Sequence, residues 1–287
     1  MSLADKALVV RVTSRAWTAR RFDRAASDGV TSDAQAVVGA ARVNNYLMAG
    51  ADDELKKVNT IVRELRDYID ANTVPWDNAG GRLLTPMAWV GMKAVIDEFK
   101  RAFNSAVAEF VVMYPTNLSK AQVNLGALYD HTQFPHQDDL HHLFALDVRP
   151  EALPLAAPSD VRYGPNADEL DALRQSIEQT VNSRLTDSLK AQWERLHEEV
   201  KRLNAVTAPR DGRRPPIFET TVDKLRHTAG VLCDMNITND PALDAVCREV
   251  LSALADVTAD TLRSSAVQRD NVHTATKAVL DKLGGLL

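Results

Sequence analysis

The sequence predicts a mainly α-helical protein, built from long antiparallel helical hairpins or a bundle, with a small β-sheet of about three strands. Three observations carry this. Two apolar stripes with heptad spacing follow one another in the sequence. A third stripe runs from Leu170 to Leu203 without a Pro or Gly. β-branched runs are few and short, which leaves room for only a small sheet.

The first element is a strand over Ala7–Val12, where Leu8, Val10 and Val12 alternate with their neighbours. Ser27 to Asp33 is rich in turn formers around Gly29 and reads as a loop. A helix is expected from Ser32 or Asp33 to about Met48. Next come the two stripes. Leu55, Val58, Val62, Leu65 and Ile69 form the first. Met92, Ile96, Phe99, Phe103, Ala106, Phe110 and Met113 form the second. Thr85 is a suitable N-cap and Pro86 a suitable first-turn residue for the second helix, and Pro115 is expected to end it. The pair reads as an antiparallel hairpin.

Beyond it, a shorter helix is expected over Ser119–Asp130, a break at Phe134-Pro135, and a helical turn or two over Asp138–Phe144. Ala145–Arg149 and Asp160–Tyr163 read as short strands around a Pro-rich loop. In the long stripe nine steps cover 33 residues, a period of 3.67. That fits one nearly straight helix over Asp168–Val206, close to 60 Å long at ~1.5 Å per residue. Pro209–Pro216 is an exposed loop. Helices follow at about Ile217–Asp234, Pro241–Thr258 and Val267–Leu283, with Asp240-Pro241 as N-cap and N1. The whole is expected as a single elongated unit, 1–287. Its parts are an N-terminal strand and basic segment (1–31), a helical hairpin (32–130), short strands and Pro-rich loops (131–165), the long helix (166–208) and C-terminal helices (216–287).

The chain has 287 residues, 25% of them charged and 45% hydrophobic, and a net charge of −5. These values exclude a disordered chain, a collagen-like chain and a basic nucleic-acid coat. No apolar run reaches the ~20 residues needed to span a bilayer. The first ten residues lack a signal-peptide layout, so a cytoplasmic protein is expected. Cys233 and Cys247 read as core thiols rather than a bridge.

Three stretches draw attention as sites. The connection Asn72–Thr85 is 14 residues long, against ~2–8 for a simple helix connection. It carries Trp76, Asp77, Arg82, Leu83 and Leu84, apolar and charged anchors of the kind that hold a protein partner. The loop either folds back on its own hairpin or meets such a partner. Gly80 and Gly81 permit a tight reversal, and Arg82 can cap a helix end or pair with a carboxylate. The segment Arg11–Arg24 holds Arg11, Arg15, Trp17, Arg20, Arg21 and Arg24. Arginine contacts phosphate and aromatic rings stack on bases, so this is the candidate nucleic-acid segment. Arg210, Arg213 and Arg214 form a weaker second cluster. Finally, His131, His136, His141 and His142 lie among Asp130, Asp138 and Asp139. Their spacing matches no common ligand pattern, and the favoured reading is a capped short helix with surface histidines rather than a metal site. No Gly-rich phosphate loop, dinucleotide fingerprint or nucleophile elbow occurs, so no cofactor and no catalytic residue are expected.

Several blocks resemble a known family. They are F-P-x-x-x-x-L-x-x-x-F-x-L-D-V-R-P from Phe134 to Pro150, A-P-S-D-V-R-Y from Ala157 to Tyr163, W-E-R-L-H-E-E-V from Trp193 to Val200, and N-I-T-N-D-P-A-L from Asn236 to Leu243. This pattern resembles DUF3150, found in bacteria and tailed phages. The T-V-P-W-D-N-A-G-G-R-L-L-T-P block and V-A-E-F-V-V-M-Y-P from Val107 to Pro115 look like its phage-type members. The resemblance covers most of the chain from Asn45 onward and assigns no activity and no catalytic residue. It implies a non-enzymatic accessory protein, an adaptor or scaffold, with a MoxR-like AAA+ ATPase and von Willebrand A proteins as partners. The stripes imply a homo-oligomer, or a monomer whose arms fold on each other, and the rival reading is a nucleic-acid-binding protein, for single strands, acting through the arginine segment.

Overall fold

The computed structural model describes residues 6–153, 167–209, 215–236 and 240–284, and the protein is mainly α. The chain divides into two compact units. The first comprises Met1–Arg11, Asp67–Met92 and Arg149–Leu287; the second comprises Val12–Arg66 and Lys93–Val148. Each unit therefore draws on segments distant in sequence, whereas the expected partition followed chain order. The strand expected at Asp160–Tyr163 and the cluster Arg210, Arg213 and Arg214 lie outside the described residues.

Four strands form one sheet, in the order β4-β5-β1-β6: β1 is Leu8–Arg15, β4 Val74–Pro75, β5 Arg82–Leu84 and β6 Ala145–Ala152. In the first unit β5 runs antiparallel to β1, with Leu84 opposite Leu8 and Leu83 opposite Val9. Val9, Val10, Val74, Leu83 and Leu84 are all buried, so this part of the sheet is covered on both faces. The same unit holds a bundle made by α4 (Ala167–Thr207), α5 (Glu219–Asp234), α6 (Pro241–Ala253) and α8 (Ala266–Gly284), with the short α7 (Ala259–Ser264) before the last. The expected long helix is α4, within a residue of its predicted ends. Trp193, Leu196, Val200 and Leu203 form its buried edge, spaced 3, 4 and 3. Asp240 caps α6 through Ala242 N and Leu243 N, with Pro241 behind it as the sequence predicts.

The second unit contains a separate two-stranded ribbon, β2 (Arg20–Asp23) against β3 (Val43–Tyr46), and the helix α1 (Arg24–Asp33). Here the expectations fail. Residues 27–33 are helix rather than loop, and no helix runs from Ser32 to Met48. The cause is a set of polar side chains. Asp23 accepts from Ala26 N at 2.9 Å and starts α1. Its other oxygen accepts from Asn45 Nδ2 at 2.8 Å, and Ser27 Oγ accepts from Val43 N at 2.9 Å. These bonds hold 43–45 extended beside β2. Gln35 and Gly39, at φ 49° and 89°, break the helical path between them.

The two heptad helices are α2 (Asp53–Asn72) and α3 (Pro86–Leu125). Within the second unit Asn117 donates to Glu54 at 2.7 Å and Lys57 pairs with Glu109, which makes the helices antiparallel there. Their core gathers Leu55, Val58, Val62, Phe103, Phe110 and Tyr114. Pro115 does not end the second helix: α3 continues through it and absorbs most of the helix expected at Ser119. A proline at 115 leaves the carbonyl of Val111 without its intrahelical donor. Gln137 Nε2 donates to that carbonyl at 3.2 Å, so the defect is repaired from outside.

Candidate functional site

The expected partner loop is a β-hairpin, β4 and β5 joined by residues 76–81. Trp76 is 4% exposed, and Leu83 and Leu84 are buried in the sheet. Of the two alternatives, these side chains follow the fold-back one: the chain covers them itself. Asp77 closes the turn, accepting from Ala79 N at 2.9 Å and Gly81 N at 2.8 Å. It also pairs with Arg11 at 2.5 Å. The Arg11 guanidinium, helped by these backbone donors, holds the Asp77 carboxyl below the usual carboxylate range. Gly80 takes a positive φ of 81°. Gly81 is required for a different reason: a Cβ there would sit 2.7 Å from Asp77 Oδ2.

Arg82 does both things open to it. It pairs with Asp70 at 3.1 Å and donates to the carbonyls of Asp70 and Thr73 at 3.0 Å each, at the C-terminal end of α2. Arg195 of α4 joins it, donating to Ala71 O at 2.8 Å. A helix C-terminus exposes unsatisfied carbonyls and partial negative charge, which two guanidinium groups satisfy together. Burial is the main cause that lowers both arginine pKa values. Sequence reasoning missed Arg195, because nothing local marks an arginine that bonds 124 positions away.

The arginine segment splits into two groups. Arg11 is committed to Asp77 and to Glu151, at 3.2 Å. Trp17 is half-buried, with Phe110 and Tyr114 each 6.2 Å away between ring centroids. Neither is presented to a base or a phosphate, so both leave the candidate nucleic-acid set. Arg15, Arg20, Arg21 and Arg24 are exposed. On one face of the β2–β3 ribbon, Arg20 lies over the Tyr46 ring at 6.0 Å and Arg42 over the Phe22 ring at 5.2 Å. Arg24 is 3.8 Å from Asp28.

The four histidines are exposed and lie on or beside short 3-10 turns, at His131–Gln133 and Gln137–Leu143. His136, rather than Asp138 or Asp139, is the cap, accepting from Asp138 N at 3.4 Å. Among the described residues no three His, Cys, Asp or Glu side chains converge in a way that could hold a metal ion. No described helix is long and apolar enough to cross a membrane.

One surface was absent from the sequence reading. Residues 34–41 read A-Q-A-V-V-G-A-A and join α1 to β3. Val37 is 80% exposed and Val38 is 90% exposed. Phe22 of the neighbouring ribbon is 51% exposed, and Arg42 follows directly. The available signal was the lack of any charge over eight residues. A surface helix needs a polar face, and this stretch has none.

Comparison with known protein families, characterised proteins and solved structures finds no match to this chain. The functional reading therefore rests on these surfaces.

Proposed function

We propose that the protein is a non-enzymatic binding protein, an adaptor or scaffold, that contacts another protein chain through the loop 34–42. The exposure of Val37 and Val38 together carries the reading. Adjacent apolar side chains in the uncharged stretch 34–41 lose free energy in water and regain it when covered. Scattered exposed valines elsewhere need no such explanation. The resemblance to DUF3150 would make the partner an AAA+ ATPase; a second copy of this chain is the other candidate. The test is a photo-crosslinking residue placed at position 38, with position 53 on an exposed helix start as control. A discrete protein adduct at 38 and none at 53 supports the reading. No adduct at 38 in the native host contradicts it.

A second reading has its own observation: the exposed ribbon face carries Arg20, Phe22 and Arg42 with two aromatic stacks, and Arg21 and Arg24 lie nearby. Such a surface suits a single-stranded nucleic acid. Affinity would then fall tenfold or more between low and physiological salt. Arg20→Glu with Arg21→Glu would abolish it. Absence of binding by the wild type at low salt would remove this reading.

A further inference from the structure

A cavity of about 690 Å³ in the first unit lies between the β4–β5 turn and the middle of α4. That falls within the range of small-molecule sites, ~300–1,000 Å³. Its walls are chemically uneven. The turn supplies Pro75, Trp76 and Ala79, mostly apolar, while α4 supplies Arg184, Asp187 and Ser188.

Two side chains on α4 fit together. The Arg184 guanidinium lies over the Trp76 ring at 5.9 Å, and no carboxylate among the described residues pairs with it. It is a cation held in place by stacking rather than by a counter-charge. Asp187, exposed three positions further along α4, lines the same cavity, and no ion pair among the described residues includes it. The nearby Asp77 is occupied by Arg11 and by the turn, so it offers no free charge.

We propose that this cavity binds a small zwitterion of amino-acid type. Its carboxylate pairs with Arg184. Its ammonium group faces Asp187, and its side chain packs on Pro75, Trp76 and Ala79. A lone phosphate matches the site less well, because Asp187 repels it and only one cation attracts it. A neutral polyol leaves both charges unanswered.

The experiment is an NMR titration of the full-length protein with three probes sharing one ring: L-phenylalanine, 3-phenylpropanoate and phenethylamine. The site predicts that L-phenylalanine shifts the amides of residues 76–79 and 183–188. Removing either charge from the probe weakens binding at least tenfold, about 1.4 kcal/mol. Arg184→Gln erases the preference for the carboxylate, and Asp187→Asn erases the preference for the amine. Asp187 is exposed and Arg184 half-buried, and unchanged melting temperatures show that both variants fold. Equal binding of all three probes, an Arg184-dependent response to inorganic phosphate matching that to L-phenylalanine, or no response to L-phenylalanine at millimolar concentration would each overturn the proposal.

Discussion

The hairpin at residues 73–84 and the loop at residues 34–42 both connect longer elements, and both carry apolar side chains. They meet opposite fates. In the hairpin, Trp76, Leu83 and Leu84 are buried, and the turn around them is closed by Asp77, Arg11 and Arg82. In the loop, Val37 and Val38 have no cover in their unit, and residues Gln35 and Gly39 hold the backbone in left-handed conformations. The contrast shows what decides whether an apolar connection is structural. A polar frame that can be satisfied only in one geometry draws the apolar groups inward. A connection whose centre carries no polar side chain has nothing there to anchor it, and its apolar groups stay outside.

The arginines repeat the lesson. Arg11, Arg82 and Arg195 are consumed by carboxylates and carbonyls of the first unit. Arg20, Arg21, Arg24 and Arg42 stay on the surface of the second, two of them resting on aromatic rings. The same residue type thus serves the fold in one place and is available to a partner in the other.

Substitutions can break this contrast. Trp76→Ala should have the largest effect, lowering stability by about 3–5 kcal/mol in a denaturant titration, as for other truncated buried aromatics. Arg195→Met should cost about 2 kcal/mol in the same measurement, since it strips donors from the carbonyls that end α2. The loss is moderated because Arg82 remains on two of those carbonyls and no longer faces a second cation.

Asp77→Asn sharpens the contrast through pH. The folded-state carboxyl titrates below its unfolded value of about 3.9. Its contribution is therefore complete above that pH and is lost as pH falls through the lowered folded value. The variant should be less stable at neutral pH and show a flatter stability profile below about pH 4, followed by thermal melting across that range. A profile unchanged from wild type would mean that the Arg11 pair contributes nothing. At the other extreme, Val37→Ser with Val38→Ser should change stability by no more than about 0.5 kcal/mol, as for exposed positions generally.

Much of the architecture was legible from periodicity. The α4 stripe placed the helix within a residue of each end, because an uninterrupted apolar face of 33 residues has no competing solution. The heptad residues Leu55, Val58, Leu65 and Ile69 are all buried for the same reason. What failed depended on contacts at a distance. Pro115 reads as a stop, and only Gln137, 22 positions later, lets the helix continue. Val43–Tyr46 reads as helix until Ser27 and Asp23 claim its backbone and side chains. Among the candidate residues, Arg20, Arg21 and Arg24 are exposed as a binding role needs. Trp76 and Trp17, chosen for their chemistry, are tied into cores that composition does not reveal.

The central claim is that the loop at 34–42 is uncovered in the free protein because a partner covers it. The most direct test places the photo-crosslinking residue at position 36 and compares the wild-type background with Val37→Ser plus Val38→Ser, recording the melting temperature of each. The account predicts a protein adduct in the wild-type background, its loss in the double variant, and melting temperatures that agree. An adduct of equal yield in both backgrounds, or a double variant that melts well below wild type, would contradict it.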